Sequence, residues 1–300
     1  MKTKTALIFF LFSLSLFSQT RGIVKDGAGN PIPYVSITVE DEKDGTSSEE
    51  DGRFSITIDA TKNLIFSAVG FETKIIRAAE AKNVVLQKKE IELNEVIISS
   101  AKKQKQKEIG SFGRGGIRYY SQQTTAKYFA YSDEAKNYPF LKEIIIYTSS
   151  KIENAKVNLR LLNVNPDGSP GEDILEDNHI VEVKKGSKNT TVNMEKNNIE
   201  IPSNGFFVVV EHLKINENKF HKKGAQYKDI TGNKKRMDVE TFEPFFGFLP
   251  SDENTCWYFE GKWTQRELHK IQNPKSYSNL LMRKYNDKYL EIAMSITITN

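Results

Sequence analysis

Apolar and polar residues alternate along Tyr34-Val35-Ser36-Ile37-Thr38-Val39-Glu40. An extended chain therefore turns Val35, Ile37 and Val39 to one side and Ser36, Thr38 and Glu40 to the other. Phe54, Ile56 and Ile58 repeat the period, with Ser55 and Thr57 between them. Two further short runs rich in Val, Ile and Phe follow at Leu64 to Val69 and Val84 to Gln87. Turn formers separate these runs: GAGNP at 27–31, DEKDG at 41–45, EEDG at 49–52 and DATKN at 59–63. Short strands at this even spacing predict an antiparallel β-sandwich, not a helical or βαβ fold. Gly52, after Asp51, falls where a hairpin turn needs a positive φ, and Gly70 before Phe71 marks a bend.

The pattern resumes further on. Strands are predicted at Glu143 to Thr148, Lys156 to Val164, His179 to Lys184, Thr190 to Met194, Gly205 to His212, Cys256 to Glu260, Leu280 to Tyr285 and Leu290 to Thr299. Eight such strands with loops of unequal length predict a second all-β unit over 117–300, a jelly-roll-like sandwich. GFFVVVEHL, at 205–213, is almost continuously apolar, as a central strand covered on both faces would be. Between the two units, residues 100–116 combine a Lys/Gln run with Gly110, Gly113, Gly115 and Gly116, the composition of a linker. Those glycines do not make a phosphate loop, because no strand-loop-helix context or GK[ST] follows them.

The first 18 residues have the layout of a signal peptide: Lys2 and Lys4, the apolar run Ala6 to Phe17, then small Ser18. Such a run is too short to span a bilayer, which takes about 20 residues, and no other apolar stretch of its length occurs. An exported chain without a transmembrane segment after cleavage is expected, in the periplasm, at the outer-membrane periphery or outside the cell. Cys256 is the only cysteine, so no intramolecular disulfide can form and core burial must supply the stability. The formal charge of +4 includes Lys2 and Lys4, too small an excess to indicate a nucleic-acid partner.

The series GIVKDGAGNPIPYVSITVE, TSSEEDGRFSITI, LIFSAVGFETKII and VVLQKKEIELNEVIIS resembles, in order and spacing, the carboxypeptidase regulatory-like domain of secreted and outer-membrane proteins of Bacteroidetes-type bacteria. The resemblance covers residues 19–99. It implies a seven-stranded, transthyretin-like sandwich that acts as an attached module, in which Gly22, Gly52 and Gly70 are structural and no residue is catalytic. LNEVIIS is similar to the end of that module in TonB-dependent transporters, where a plug and a membrane barrel follow. Roughly 200 residues remain here, without the many amphipathic strands of such a barrel, so a transporter is not expected.

Candidate chemistry is sparse. His179 and Glu182 form an HxxE pair of the kind that supplies zinc ligands in metallocarboxypeptidases, but HIVEVKK alternates as a strand and sends positions i and i+3 to opposite faces. His212, His221 and His269 are isolated in the sequence. Cys256, in CWYFEG, is expected to be a buried structural thiol. The acidic turn after Asn165 offers Asp167, Glu172 and Asp173 as calcium candidates, although turn chemistry accounts for the same residues. The aromatic cluster is more distinctive: a jelly roll that presents Trp257, Tyr258 and Trp263 together would bind sugars by stacking. Core packing is the alternative, with Tyr258 and Trp263 the two least expected to be wholly buried. No cofactor is implied. The function expected is that of a non-catalytic exported cell-envelope protein contacting a protein or a glycan. The alternatives are a carbohydrate-binding accessory protein and a hydrolase whose site is assembled from residues distant in sequence.

Overall fold

The computed structural model describes residues 17–89, 105–110, 119–228, 231–273 and 275–300. All of the expected signal peptide except its last two residues lies outside these ranges. The chain divides into two compact units, Met1–Lys88 and Lys89–Asn300.

Among its described residues the first unit has seven strands: β1 (Phe17–Asp26), β2 (Ser36–Val39), β3 (Gly45–Ser47), β4 (Arg53–Asp59), β5 (Asn63–Ser67), β6 (Lys74–Arg77) and β7 (Asn83–Leu86). They form two sheets, in the orders β4-β1-β7 and β3-β2-β5-β6. The expected seven-stranded sandwich is therefore present, and β1 joins its sheet by an antiparallel ladder to β4 and a parallel one to β7. The period-two pattern sorts the residues as predicted. Val35, Ile37 and Val39 are buried, and β4 alternates exposed and buried with Phe54, Ile56 and Ile58 inward. Phe54 meets Phe66 edge-on at 5.5 Å in the middle of this core. Two glycines are required by geometry. A Cβ on Gly22 would run into the carbonyl oxygen of Ala81, and Gly52 has φ +75° with the Val24 oxygen only 2.6 Å from where a Cβ would stand. Gly70 sits in the turn after β5, closed by Phe71 N–H donating to Ala68 O at 3.2 Å.

The described residues of the second unit are also mainly β. Its strands are β8 (Gln106–Ile109), β9 (Tyr119–Ser121), β10 (Thr125–Phe129), β11 (Phe140–Ser150), β12 (Ala155–Val164), β13 (Pro170–Asp173), β14 (His179–Val183), β15 (Gly186–Asn193), β16 (Phe206–His212), β17 (Lys219–Lys222), β18 (Gln226–Lys228), β19 (Lys234–Arg236), β20 (Val239–Phe242), β21 (Phe245–Ser251), β22 (Cys256–Phe259), β23 (Trp263–Thr264), β24 (Tyr289–Ile292) and β25 (Met294–Thr299). One sheet runs β13-β12-β16-β10-β22-β23, with β14 also on β12. The other runs β24-β21-β11-β25-β8, with β15 on β11 and β9 on β21. Successive strands β9 to β12 alternate between the two sheets, a sandwich crossover pattern of jelly-roll type. Strand β16 is buried at all seven positions, Glu211 and His212 included, as its almost continuous apolar run predicted.

Three expectations need correction. Within the expected linker 100–116, Gln106–Ile109 is strand β8, which pairs antiparallel with β25 and closes that sheet edge. An edge strand needs only its backbone for this, and QKEI carries too few apolar residues to announce it. Leu280 to Tyr285, predicted as a strand, belongs instead to the 3₁₀ helix Tyr277–Tyr285, where Tyr285 is buried while Leu280 and Leu281 face solvent. Leu290 to Thr299 is not one strand but two, β24 and β25, interrupted at Ala293.

Candidate functional site

Strand β16 is covered on both sides, and its outward side builds the most distinctive face of the second unit. Tyr258, beside β10 in the same sheet, is buried in the sandwich core, so its neighbour Trp257 must face out. The register then places Arg160 of β12, Val209 of β16, Ala126 of β10 and Trp257 of β22 in one cross-strand row on that outer face. Ala126, Leu162, Phe207 and Val209 form a buried apolar cluster there, and half-buried Tyr128, Val164, Trp257 and Trp263 pack against it. Trp263 of β23 sits opposite Phe259 of β22, ring edge to ring face at 5.2 Å. Tyr128 leans on Phe207 at 5.4 Å and donates its hydroxyl to Asn204 O at 2.9 Å.

A polar network lies at the other end of the same rows. Arg160 Nε and Nη2 donate to Asp173 Oδ1 and Oδ2, each at 2.8 Å, a bidentate fork. Arg160 Nη1 stands 3.5 Å from Glu211 Oε1, and Asn158 Nδ2 donates to Glu211 Oε2 at 2.9 Å and to Asn178 Oδ1 at 3.0 Å. The Arg160, Asp173 and Glu211 side chains retain only 14%, 9% and 6% of their exposure. Burial alone would disfavour the guanidinium charge. The Glu211 and Asp173 carboxylates outweigh it and hold Arg160 above the ordinary arginine value. The face thus pairs an aromatic, hydrophobic end with an end of preoriented planar hydrogen-bonding groups. Adjacent strands lie about 4.8 Å apart, so Trp257 and Arg160 are roughly 14 Å from each other across the sheet.

Trp257 and Trp263 are therefore brought onto one face, and Tyr258 is not. Tyr258 is 2% exposed, donates its hydroxyl to Leu290 O at 2.6 Å and stacks on Phe248 at 6.1 Å. Burial pushes its phenol far above the usual tyrosine range. The calcium candidates are likewise divided. Asp167 Oδ1 accepts the Ser169 N–H at 3.0 Å and hydroxyl at 2.6 Å, an Asx turn whose hydrogen bonds lower its pKa. Asp173 is committed to Arg160, and its strand neighbour Glu172 must point to the opposite side. Among the described residues, no group of three His, Cys, Asp or Glu side chains converges as a metal site.

The HxxE pair is split as strand geometry requires: on β14, His179 lies opposite Leu159 and Glu182 opposite Lys156 of β12, and burial lowers the His179 pKa. Cys256 is buried, its Sγ accepting the Ile292 N–H at 3.4 Å, and burial pushes the thiol up to about 11. His212 is buried with its ring nitrogen donating to Phe242 O at 2.9 Å, and burial depresses its pKa to about 4. His221 is exposed beside Glu240, and His269 meets the Tyr119 ring edge-on at 5.4 Å. No motif singled out Arg160, Glu211 or Asn158. Their legible signal is the alternation of Asn158 and Arg160 with Val157, Leu159 and Leu161 at the start of VNLRLLNVN, with a Glu inside FFVVVEH.

Residues 20–98 match the CarboxypepD_reg-like domain family, the region of the first sandwich. A TonB-dependent receptor of Formosa agariphila is 31% identical over 109 residues, which is 35% of this chain and 10% of that protein. TonB-dependent receptor SusC of Bacteroides thetaiotaomicron is 28% identical over 89 residues, 29% of this chain and 9% of that protein. The chain thus spans about a tenth of the length of these curated relatives. Among the described residues, no helix is long and apolar enough to cross a membrane.

Proposed function

We propose that the protein is a non-catalytic, exported cell-envelope binding protein that contacts a glycan through Trp257 and Trp263, on the outer side of the sheet that contains β16. The observation that carries this reading is the placement of Trp257 and Trp263 on one face with the Asp173–Arg160–Glu211–Asn158 network. Indole rings stack on the C–H faces of sugars, and the Arg160, Asp173 and Glu211 groups, committed to one another, hold together the sheet that carries those rings. The leader-like first 18 residues and the similarity to TonB-dependent receptors support an envelope location. Three features favour a binding role over catalysis. The two carboxylates of the face both serve Arg160, the only thiol is shut in the core, and His179 and Glu182 point apart.

The test is a glycan array probed with the mature protein, followed by calorimetric titration of the best-bound glycan. Trp257→Ala and Trp263→Ala should each weaken binding about tenfold, the equivalent of about 1.4 kcal/mol of lost stacking. Binding that survives both substitutions, or a blank array, would remove the glycan from the proposal.

A further inference from the structure

The excursion between His269 and Lys288 carries a second surface, unrelated to the glycan face. Its base is pinched by His269 N–H donating to Lys288 O at 2.7 Å and Asp287 N–H donating to His269 O at 2.8 Å. Ile271 N–H also donates to Asn286 Oδ1 at 3.0 Å. Tyr285 is wholly buried and donates its hydroxyl to Phe248 O at 3.1 Å, tying the 3₁₀ helix Tyr277–Tyr285 to β21. Inside the excursion, Arg283 Nη2 donates to Lys275 O at 2.7 Å and Asn279 Nδ2 to Gln272 O at 2.8 Å. The segment is thus held in shape by Tyr285 and these hydrogen bonds, while Tyr277, Leu280 and Leu281 are left outside. Tyr277 is 89% exposed, Leu281 63% and Leu280 47%.

Single exposed apolar residues need no explanation. On a 3₁₀ segment with about three residues per turn, Tyr277 and Leu280 lie one above the other and Leu281 lies a third of a turn on, next to Leu280, so the three make a local apolar patch. The charge around it is mainly positive. From 269 to 288 the chain has five cationic side chains, Lys270, Lys275, Arg283, Lys284 and Lys288, against the carboxylate of Asp287, although Lys288 is paired with Asp252 of a neighbouring turn. A protein-binding hot spot favours a desolvated aromatic in a pocket, with complementary charges of both signs at the rim. An exposed Tyr and two leucines ringed by lysines and arginine suit another partner. This is the composition that lies in the headgroup zone of an anionic bilayer, with the leucines reaching the acyl boundary and the cations facing lipid phosphates.

We propose that the Tyr277–Leu281 patch with its basic rim docks the protein on an anionic phospholipid surface. The anchor is peripheral: it needs the apolar residues and the cations together, and neither set suffices alone.

The test is co-sedimentation of the mature protein with vesicles of equimolar phosphatidylglycerol and phosphatidylcholine, and with vesicles of phosphatidylcholine alone. The expected result is sedimentation with the mixed vesicles, at least tenfold weaker on the neutral ones, reduced by added salt and not competed by soluble glycerol phosphate. Leu280→Asp combined with Leu281→Asp should abolish it. Lys270→Gln, Lys275→Gln and Lys284→Gln together should lower it more than tenfold. Both sets alter exposed side chains, and an unchanged thermal midpoint will show that the fold is intact. The Trp257→Ala variant should sediment like the wild type, which separates this surface from the glycan face. Failure to sediment with mixed vesicles, equal sedimentation with both vesicle types, or unchanged sedimentation of either variant set would overturn the proposal.

Discussion

Replacing Arg160 by Met tests the organisation of the outer sheet face most directly. The substitution keeps the aliphatic stem and removes the guanidinium that holds Asp173 in a bidentate fork and faces Glu211 at 3.5 Å. Two carboxylates with side-chain exposures of 9% and 6% would then remain in the face without their counter-charge. Removing one partner of a buried ion pair costs about 3–5 kcal/mol, most of it the burden of the charge left behind. Both tryptophans lie on this sheet, at Trp257 and Trp263, so their fluorescence reports the unfolding of the second unit. With a urea slope of about 2 kcal/mol/M, the midpoint should fall by about 2 M at unchanged slope. The triple variant Arg160→Met, Asp173→Leu and Glu211→Leu should recover most of that loss, because a buried ionic cluster replaced by apolar side chains of like volume is often neutral or stabilising. By contrast, Arg53→Met, which breaks the Arg53–Asp51 pair with side chains 75% and 54% exposed, should change stability by no more than about 0.5 kcal/mol. A midpoint shift under about 0.5 M for Arg160→Met, or no recovery in the triple variant, would show that solvent and not Arg160 balances these carboxylates.

Other expectations are independent of that network. His212 is buried neutral with its pKa depressed to about 4, against about 6.5 when unfolded, so the unfolded chain takes up the proton first as pH falls. Its contribution is complete above about pH 6.5 and is lost towards pH 4, at up to about 1.4 kcal/mol per pH unit. His212→Gln should flatten the stability profile in that window, and denaturation series at several pH values will show whether it does. Phe54→Ala removes a 4% exposed ring from the first core and its edge contact with Phe66, so calorimetry should record a loss of about 3–5 kcal/mol. Deleting residues 105–110 strips β8 from β25 and bares the edge of an apolar strand, so light scattering should detect association that the intact chain does not show.

Much of the architecture was legible because a strand's side chains alternate with a strict period of two. Val35, Ile37, Val39, Phe54, Ile56 and Ile58 could be assigned to the first core from spacing alone, and the structure buries all six. The almost continuous apolar run of β16 likewise announced a strand covered on both faces. Polar edge strands such as β8 were invisible, since they join a sheet through backbone groups that every sequence shares. Leu280 and Leu281 misled for the opposite reason: apolar character marked a strand, while the chain places them outward on a 3₁₀ turn tied down by Tyr285.

The candidate face shows the division most clearly. Neighbouring residues on a strand must face opposite sides, so CWYF by itself determined that Trp257 and Tyr258 would part. Which of the two went inside depended on which side of the sheet received the second sheet, a choice made by contacts among strands far apart in sequence. The same stacking put Tyr258 against Phe248 in the core and left Trp257 in one row with Arg160 on the outer face. The meeting of Arg160 with Asp173 and Glu211 was decided there too, because it requires the register of β12 with β13 and β16, and no local pattern of alternation encodes a register between separate strands.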